Sequence, residues 1–145
     1  MPKKNPLVKP KIIVVLGPTA VGKSSLAVLL AKKFNGEIVS ADSRQVYRDL
    51  DIGTGKVTAR EKSGIRHYLL DVANPRKPYS AGQYKNEATQ AVKRILERDK
   101  VPIICGGTGF YIDTLLGTVS FPEVPPNPNL RKRLSQKSAE QLYKI

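Results

Sequence analysis

The 145-residue chain contains one cysteine, one histidine and no tryptophan. Cys105 has no partner for an intrachain disulfide, and a four-cysteine zinc site is excluded by count. His67 cannot by itself build a histidine-rich metal centre or supply a second histidine base. No apolar run approaches the roughly 18 residues of a membrane span, and the basic N-terminus lacks the apolar stretch of a secretory signal. We therefore expect a cytoplasmic protein without membrane association.

Basic residues outnumber acidic ones, with 25 Lys and Arg against 12 Asp and Glu and a formal net charge of +13. The excess is spread along the chain and is not confined to a tail. A field of this sign attracts polyphosphates and nucleic acids. The alternative is a basic, solvated surface that has no nucleic-acid partner.

Short apolar runs predict the strands of an α/β fold. The runs are Ile12 to Leu16, Glu37 to Ser40, His67 to Val72 and Val101 to Cys105. Continuous runs of this kind are typical of buried strands in a parallel sheet. Pro102 removes one hydrogen-bond donor and is acceptable only near the start of its strand.

Helices are predicted between and after these strands. The first spans Ser24 to Phe34 and ends at Asn35-Gly36, the second begins after a capping box from Ser80 to Gln83, and a short one covers Phe110 to Leu116. The apolar faces of the first two consist of Leu26, Leu29, Leu30 and Phe34, and of Tyr84, Ala88, Ala91, Val92 and Ile95.

Composition divides the chain into four segments. Residues 1–10, with three prolines and three lysines, are predicted to be a flexible basic lead-in. Residues 11–117 form the α/β core, residues 118–129 a proline-rich linker, and residues 130–145 the start of a helical module. The last helix opens with a capping box at Ser138 to Gln141 and has no stop signal. We therefore expect the front part of a longer protein, with an incomplete sheet.

The segment GPTAVGKS fits the phosphate-binding pattern G-x-x-x-x-G-K-[ST] between a buried strand and a helix. Its residues are Gly17, Pro18, Thr19, Ala20, Val21, Gly22, Lys23 and Ser24. The glycines let backbone N–H groups face phosphate oxygens, Lys23 adds a point charge, and the Ser24 hydroxyl can hold Mg²⁺. Nucleoside triphosphates are the usual ligands, but any diphosphate ester satisfies the same electrostatics. A chance glycine-rich turn with a surface lysine is the alternative.

The fourth strand is not followed by the Mg²⁺-binding Asp that P-loop NTPases usually place at a strand end. Asp42 instead follows the second strand, at the edge where α/β sheets bind ligands. It can act as a general base, or it can cap a short helix from Ser43 to Leu50. Thr108, after Gly106-Gly107, either faces a ligand or caps the next helix. We expect the P-loop, Asp42 and the Gly-Gly-Thr turn to share one cleft.

Five segments together resemble the tRNA dimethylallyltransferase family, also called tRNA isopentenyltransferases. They are GPTAVGKSSLA (17–27), SADSRQVYRDLDIGTGK (40–56), HYLLDV (67–72), PYSAGQY (78–84) and PIICGGTGFYIDTLLGT (102–118). The resemblance implies a P-loop NTPase-like parallel sheet flanked by helices, followed by the start of a helical insert that clamps tRNA. It also implies transfer of a dimethylallyl group from dimethylallyl diphosphate to the exocyclic N6 amine of an adenosine adjacent to the tRNA anticodon.

The resemblance assigns roles to individual residues. Lys23, together with Mg²⁺ on Ser24, would stabilise the leaving diphosphate, and Asp42 would take the proton of the adenine amine. Thr108 would contact the diphosphate or the tRNA near it. The residues expected to contact tRNA are Asp42, Ser43, Arg44, Gln45, Thr108 and Arg131. The acceptor adenosine would leave the anticodon-loop stack to reach the cleft.

Three alternatives stay open. An adenine-nucleotide isopentenyltransferase would use the same cleft, although the cluster Arg131-Lys132-Arg133 favours tRNA. A small-molecule P-loop kinase would need a bound nucleoside triphosphate and a set of lid arginines. A truncated fragment would bind diphosphate weakly. Because the family's members are longer than this chain, we expect the chain alone to be inactive. We expect the full-length protein to be a monomer.

Overall fold

The computed structural model describes residues 11–119 and 124–145. The elements are β1 (Ile13–Leu16), α1 (Lys23–Phe34), β2 (Gly36–Ser40), α2 (Ala59–Lys62), β3 (His67–Tyr68), α3 (Ala81–Glu97), β4 (Val101–Gly106), α4 (Gly109–Leu116), α5 (Pro128–Leu134) and α6 (Ala139–Tyr143). The predicted lead-in lies outside the described residues, as do residues 120–123 of the predicted linker. Within the described segments, no helix has the length and apolar composition that crossing a bilayer requires.

The four strands form a parallel sheet in the order β1-β4-β2-β3, which confirms the predicted fold class. Strand β4 lies in the middle and pairs with both β1 and β2. At the carboxyl ends, Gly106 of β4 is in register with Leu16 of β1, and Cys105 with Ser40 of β2. The loops that follow β1, β2 and β4 therefore leave the sheet side by side.

Side chains from alternate positions of the strands fill two apolar layers, because successive strand residues face opposite sides of a sheet. Val39 and Ile104 belong to a layer completed by α3 and α4. Ile38 and Ile103 belong to the layer completed by α1. The sheet is thus flanked by helices, as the resemblance implied.

Helix α3 follows the prediction closely. Ser80 and Gln83 form the capping box: the Ser80 side chain accepts from the backbone N–H of Gln83, and the Gln83 side chain accepts from the N–H of Ser80. Its predicted apolar face is buried throughout. Tyr84 from this face stacks on Tyr111 of α4 with ring centroids 4.0 Å apart, which fixes α4 against the core.

The predicted face of α1 is largely wrong, because only Leu30 of its four residues packs against the core, where it is partly buried. The residues that pack into the core are Ala27, Val28 and Ala31, whereas Leu26 and Leu29 are 49% and 63% exposed. Small side chains bring the helix close to the sheet, so the larger leucines face away from it. The size of the apolar side chains alone therefore does not predict which face of α1 is buried.

Strand β1 is one edge of the sheet in the described part of the chain, and β3 is the other. The β1 residues Val14 and Leu16 are 38% and 56% exposed. Together with the outer face of α1, this edge presents apolar side chains that a paired strand would ordinarily cover. The arrangement agrees with the expectation of an incomplete sheet.

The third predicted strand is shorter than expected. It spans His67–Tyr68 and not the whole run to Val72. Leu69 and Asp71 have φ angles of 62° and 59°, in the left-handed region, which is incompatible with an extended strand. The apolar pattern carries no signal for these backbone angles.

The short helix considered for Ser43 to Leu50 does not form. The segment consists of turns, and Tyr47 makes an isolated parallel bridge with Ala73. Asp49 has a φ angle of 61°, which a right-handed helix does not accommodate.

Helices α5 and α6 occupy the C-terminal segment. Helix α5 begins at Pro128, inside the predicted linker, because the Asn127 side chain accepts from the N–H of Leu130 and proline suits the first helical turn. The Ser138 capping box opens α6 as predicted. The division into core, linker and clamping module stays a prediction.

A buried carboxylate joins the amino ends of β2 and β4. Glu37 accepts hydrogen bonds from the Tyr68 hydroxyl at 2.8 Å, from Arg98 at 2.6 Å and from Lys100 at 2.9 Å. Burial opposes ionisation of Glu37, but the hydrogen bonds and the charges of Arg98 and Lys100 outweigh it and hold its pKa below the ordinary value. The cluster stabilises the sheet at the amino ends of the strands, opposite the carboxyl ends where the candidate site lies.

Candidate functional site

A cleft lies at the carboxyl ends of β1, β2 and β4, with a cavity of about 650 Å³. The predicted site residues that line it are Thr19, Ala20, Gly22, Lys23, Ser24, Asp42, Ser43, Arg44, Gln45 and Thr108. The expectation that the P-loop, the acid and the Gly-Gly-Thr turn share one cleft is confirmed. Gly17, Pro18 and Val21 belong to the loop but do not line the cavity, and Arg131 lies apart, exposed on α5.

The P-loop turns into α1 at Gly22, whose φ angle of 83° is one that side-chain-bearing residues rarely adopt. No side chain caps this helix end. The backbone N–H groups of its first turn therefore stay available to an anion in the cleft. The Lys23 ammonium donates to the carbonyl of Pro18, so the cation is held beside the same loop.

Asp42 caps a turn and also lines the cleft. Its Oδ1 accepts from the N–H groups of Arg44, at 2.8 Å, and Gln45, at 3.2 Å. These bonds fix the carboxylate, while in the described part of the chain no hydrogen bond engages Oδ2. The capping role and a chemical role are therefore compatible, because they use different oxygen atoms.

Thr108 joins the ends of β2 and β4. Its Oγ1 accepts from the N–H of Ser43 at 3.0 Å and lies 3.2 Å from the Ser43 hydroxyl, and its own N–H donates to the carbonyl of Ala41. Thr108 occupies the N-cap position of α4, as the alternative expected, but its side chain makes no capping bond to the helix. The hydroxyl is instead held in the cleft beside the segment that carries Asp42.

Gly106 allows this close approach. A Cβ atom at this position would lie 2.1 Å from the carbonyl oxygen of Ala41. Any side chain would push the two strand ends apart, so the shape of the cleft floor depends on this glycine.

The sequence reasoning missed one wall of the cleft, formed by Gly53, Thr54 and Gly55. The Gln45 side chain donates to the carbonyls of Thr54, at 3.3 Å, and Gly55, at 3.2 Å, which attaches this wall to the segment that follows β2. The stretch DIGTGK supported the resemblance, but no role was given to its residues. Two glycines beside a threonine were the available signal for a tight turn.

Lys56 anchors that wall from behind. Its side chain is 5% exposed, and its ammonium donates to the carbonyl of Tyr47 at 2.8 Å, to Asp51 at 2.6 Å and to Asp71. Burial would lower the pKa of Lys56, but the hydrogen bonds and charges of the two carboxylates raise it above its ordinary value. The ammonium stays charged at neutral pH and holds three chain segments together.

Cys105 lies in the floor of the cleft. Burial raises the pKa of its thiol to about 11. The thiol is therefore protonated at neutral pH and is not an activated nucleophile.

The oxygen atoms of the cleft suit a hard cation. Within residues 11–119 and 124–145, no three or more His, Cys, Asp or Glu side chains are grouped so as to hold a metal on their own. The cleft combines the Asp42 carboxylate with hydroxyls such as that of Ser24. Mg²⁺ typically takes one or two protein oxygens and completes its shell with water and substrate phosphates, so this donor set fits.

The sequence of this chain is similar to those of known proteins that share one family name. The sequence model of the IPP transferase family matches residues 45–145. Among curated proteins, the tRNA dimethylallyltransferase of Enterococcus faecalis is 52% identical over 124 residues, which cover 84% of this chain and 40% of that protein. The tRNA dimethylallyltransferase of Streptococcus sanguinis is 48% identical over 139 residues, which cover 94% of this chain and 47% of that protein.

Solved structures show the same likeness. The tRNA isopentenylpyrophosphate transferase of Bacillus halodurans superimposes with a TM-score of 0.77 at 39% identity, covering 88% of this chain and 42% of that one. A eukaryotic dimethylallyltransferase acting on tRNA gives a TM-score of 0.77 at 37% identity, covering 88% and 32%. The chain thus spans less than half the length of these relatives. With a family match over residues 45–145 and this agreement in fold, the chain belongs to the IPP transferase family.

Proposed function

We propose that this protein transfers a dimethylallyl group from dimethylallyl diphosphate to the N6 amine of an adenosine adjacent to the tRNA anticodon, releasing diphosphate. The observation that carries the proposal is the convergence of a phosphate-binding loop, Asp42 and Thr108 on one cavity. The relatives named tRNA dimethylallyltransferases support the choice of substrates.

The P-loop accounts for the leaving group. Displacement of diphosphate from an allylic carbon builds negative charge on the departing oxygens, and catalysis requires donors already aimed at that charge. The N–H groups at the start of α1 and the Lys23 ammonium are such donors. In the proposed reaction, Lys23 exchanges its bond to the Pro18 carbonyl for one to the diphosphate.

Asp42 accounts for the acceptor. The exocyclic amine of adenine is weakly basic, so it must lose a proton as the new C–N bond forms. Two backbone N–H groups hold Oδ1 of Asp42, and Oδ2 accepts the amine proton as a general base. Thr108, fixed by Ser43, lies at the same end of the cleft and contacts the diphosphate or the neighbouring RNA.

A Mg²⁺ ion on the Ser24 hydroxyl is part of the proposal, and it would supply charge neutralisation to the diphosphate. Ser24 follows Lys23 in the first turn of α1 and lines the cleft. The chain's own contribution there is a hydroxyl oxygen held at a helix end.

The positive charge of the chain supports an RNA substrate. The predicted RNA contacts Ser43, Arg44 and Gln45 line the cleft, and Arg131 is exposed on α5. Phosphate contacts of this kind dominate affinity for nucleic acid. We also propose a cytoplasmic location, where tRNA is available as substrate.

A chimera tests the proposal at full length. The matching segment of the Enterococcus faecalis enzyme, 52% identical over 124 residues, is replaced by this chain, and dimethylallyl incorporation into unmodified tRNA is measured with Mg²⁺ present. We expect transfer to tRNA and much slower transfer to AMP. Faster transfer to AMP would favour a nucleotide prenyltransferase, and phosphoryl transfer from ATP would favour a kinase. The absence of any transfer would overturn the proposal.

A further inference from the structure

A second cavity of about 600 Å³ lies beside the cleft. We call it the side cavity; its apolar surface comes from Tyr47, Leu50 and Ile52. Its charged groups are Arg44, Asp49 and Asp51, and Asp51 is paired with Lys56. It shares Arg44, Gly53 and Thr54 with the cleft, so the two cavities are adjacent. Nothing in the proposed chemistry uses it.

Ile52 stands at the rim of this side cavity with 99% of its surface exposed. A single exposed apolar side chain is ordinary. Ile52 differs because its loop is tightly braced: Gly55 N–H donates to the Ile52 carbonyl at 3.2 Å, and Lys56 N–H donates to the Asp51 carbonyl at 3.1 Å. The Lys56 side chain adds the three bonds described above. The loop therefore fixes the backbone that carries an exposed apolar side chain beside the cleft.

The apolar surface of the side cavity and the neighbouring Arg44 suit an unpaired nucleotide. Proteins recognise single-stranded RNA by packing apolar or aromatic side chains on base faces and by placing cations near the phosphates. Tyr47 and Leu50 provide an apolar surface, and Arg44 is an exposed cation at the junction with the cleft. A nucleotide next to one bound in the cleft would lie beside the residues that the two cavities share.

We propose that the side cavity binds the nucleotide next to the acceptor adenosine, and that Ile52 packs against its base and keeps it from restacking. The inference rests on the proposed function, because it takes the acceptor to be an adenosine drawn out of an RNA loop. When the acceptor adenosine leaves the base stack of the RNA loop, it leaves a gap that the neighbouring bases would otherwise close. An apolar side chain carried into that gap by a braced loop favours the open form of the RNA loop.

The test uses the full chain and an anticodon stem-loop RNA with 2-aminopurine next to the acceptor adenosine, since this base fluoresces more strongly when it is unstacked. Ile52→Gln removes the apolar contact at a site so exposed that folding is little affected. Leu29→Gln is the matched control, because Leu29 is also exposed, at 63%, but lies on α1 and outside the cavity. Ile52→Leu restores an apolar side chain, and thermal melting confirms that each variant is folded.

Binding of wild-type chain is expected to raise the fluorescence and Leu29→Gln to match it, whereas Ile52→Gln should weaken binding about tenfold and abolish the rise. Ile52→Leu should recover most of both. Equal binding and equal fluorescence for Ile52→Gln would overturn the inference and leave the proposed function standing. Failure of the wild-type chain to bind the RNA would overturn the inference as well, while transfer by the chimera reports on the proposed function separately.

Discussion

Lys56 is expected to stabilise the folded protein, because its buried ammonium joins three segments around the cleft. Lys56→Met keeps most of the side-chain volume and removes the bonds to Tyr47, Asp51 and Asp71. Breaking a fully buried ion pair costs about 3 to 5 kcal/mol. Here Asp51 and Asp71 are 70% and 46% exposed, so water rehydrates them once the ammonium is gone. We therefore expect a loss of about 1 to 3 kcal/mol.

Urea unfolding measures this loss, with Lys32→Met on the exposed face of α1 as the matched control. Because the folded-state pKa of Lys56 is raised, its contribution is fully present below the ordinary lysine value of 10.5 and is lost as pH rises through the folded-state value. The difference between wild type and Lys56→Met should therefore shrink in strong alkali. A loss below about 0.5 kcal/mol at neutral pH, within the range of ordinary surface changes, would refute the reasoning.

Three further changes give distinct outcomes. Glu37→Gln should lower the free energy of unfolding by about 1 to 3 kcal/mol at pH 7 relative to the exposed control Glu97→Gln. Because the folded-state pKa of Glu37 is lowered, this difference is lost as pH falls below 4.5, and urea unfolding in acid will check it. Gly106→Ala should unfold the chain or cost more than about 3 kcal/mol in the same assay, whereas Gly53→Ala, which meets no atom within 4 Å, should cost under about 1 kcal/mol. Lys23→Ala should weaken binding of dimethylallyl diphosphate by about 2 to 4 kcal/mol in calorimetry, and unchanged affinity would contradict the role of the P-loop.

Local patterns predicted the P-loop, the capping box of Ser80 and the buried face of α3, because each depends on residues close together in sequence. The common edge of the P-loop, Asp42 and Thr108 was also predictable, since parallel strands put their carboxyl ends together. In these regions the local signals and the final fold agree.

The remaining features depend on partners that are distant in sequence. Leu29 fits an apolar helix face, yet Ala27 and Ala31 pack on the sheet because the helix lies close to it. Leu69 and Asp71 end β3 through left-handed backbone angles that composition does not reveal. Lys56 looks like a surface lysine until the fold brings Asp71 to it.

The central claim is that Asp42 is the base of a prenyl transfer within the cleft. In the chimera, Asp42→Asn keeps the size of the side chain, and its amide oxygen can still accept the turn bonds from Arg44 and Gln45. Asp113→Asn, at an exposed position on α4, is the control. The decisive measurement is the single-turnover rate of dimethylallyl transfer to tRNA together with the tRNA dissociation constant. We expect Asp42→Asn to bind tRNA like the parent and to transfer about a hundredfold more slowly or worse, whereas parental rates in this variant would reduce Asp42 to a residue that caps a turn.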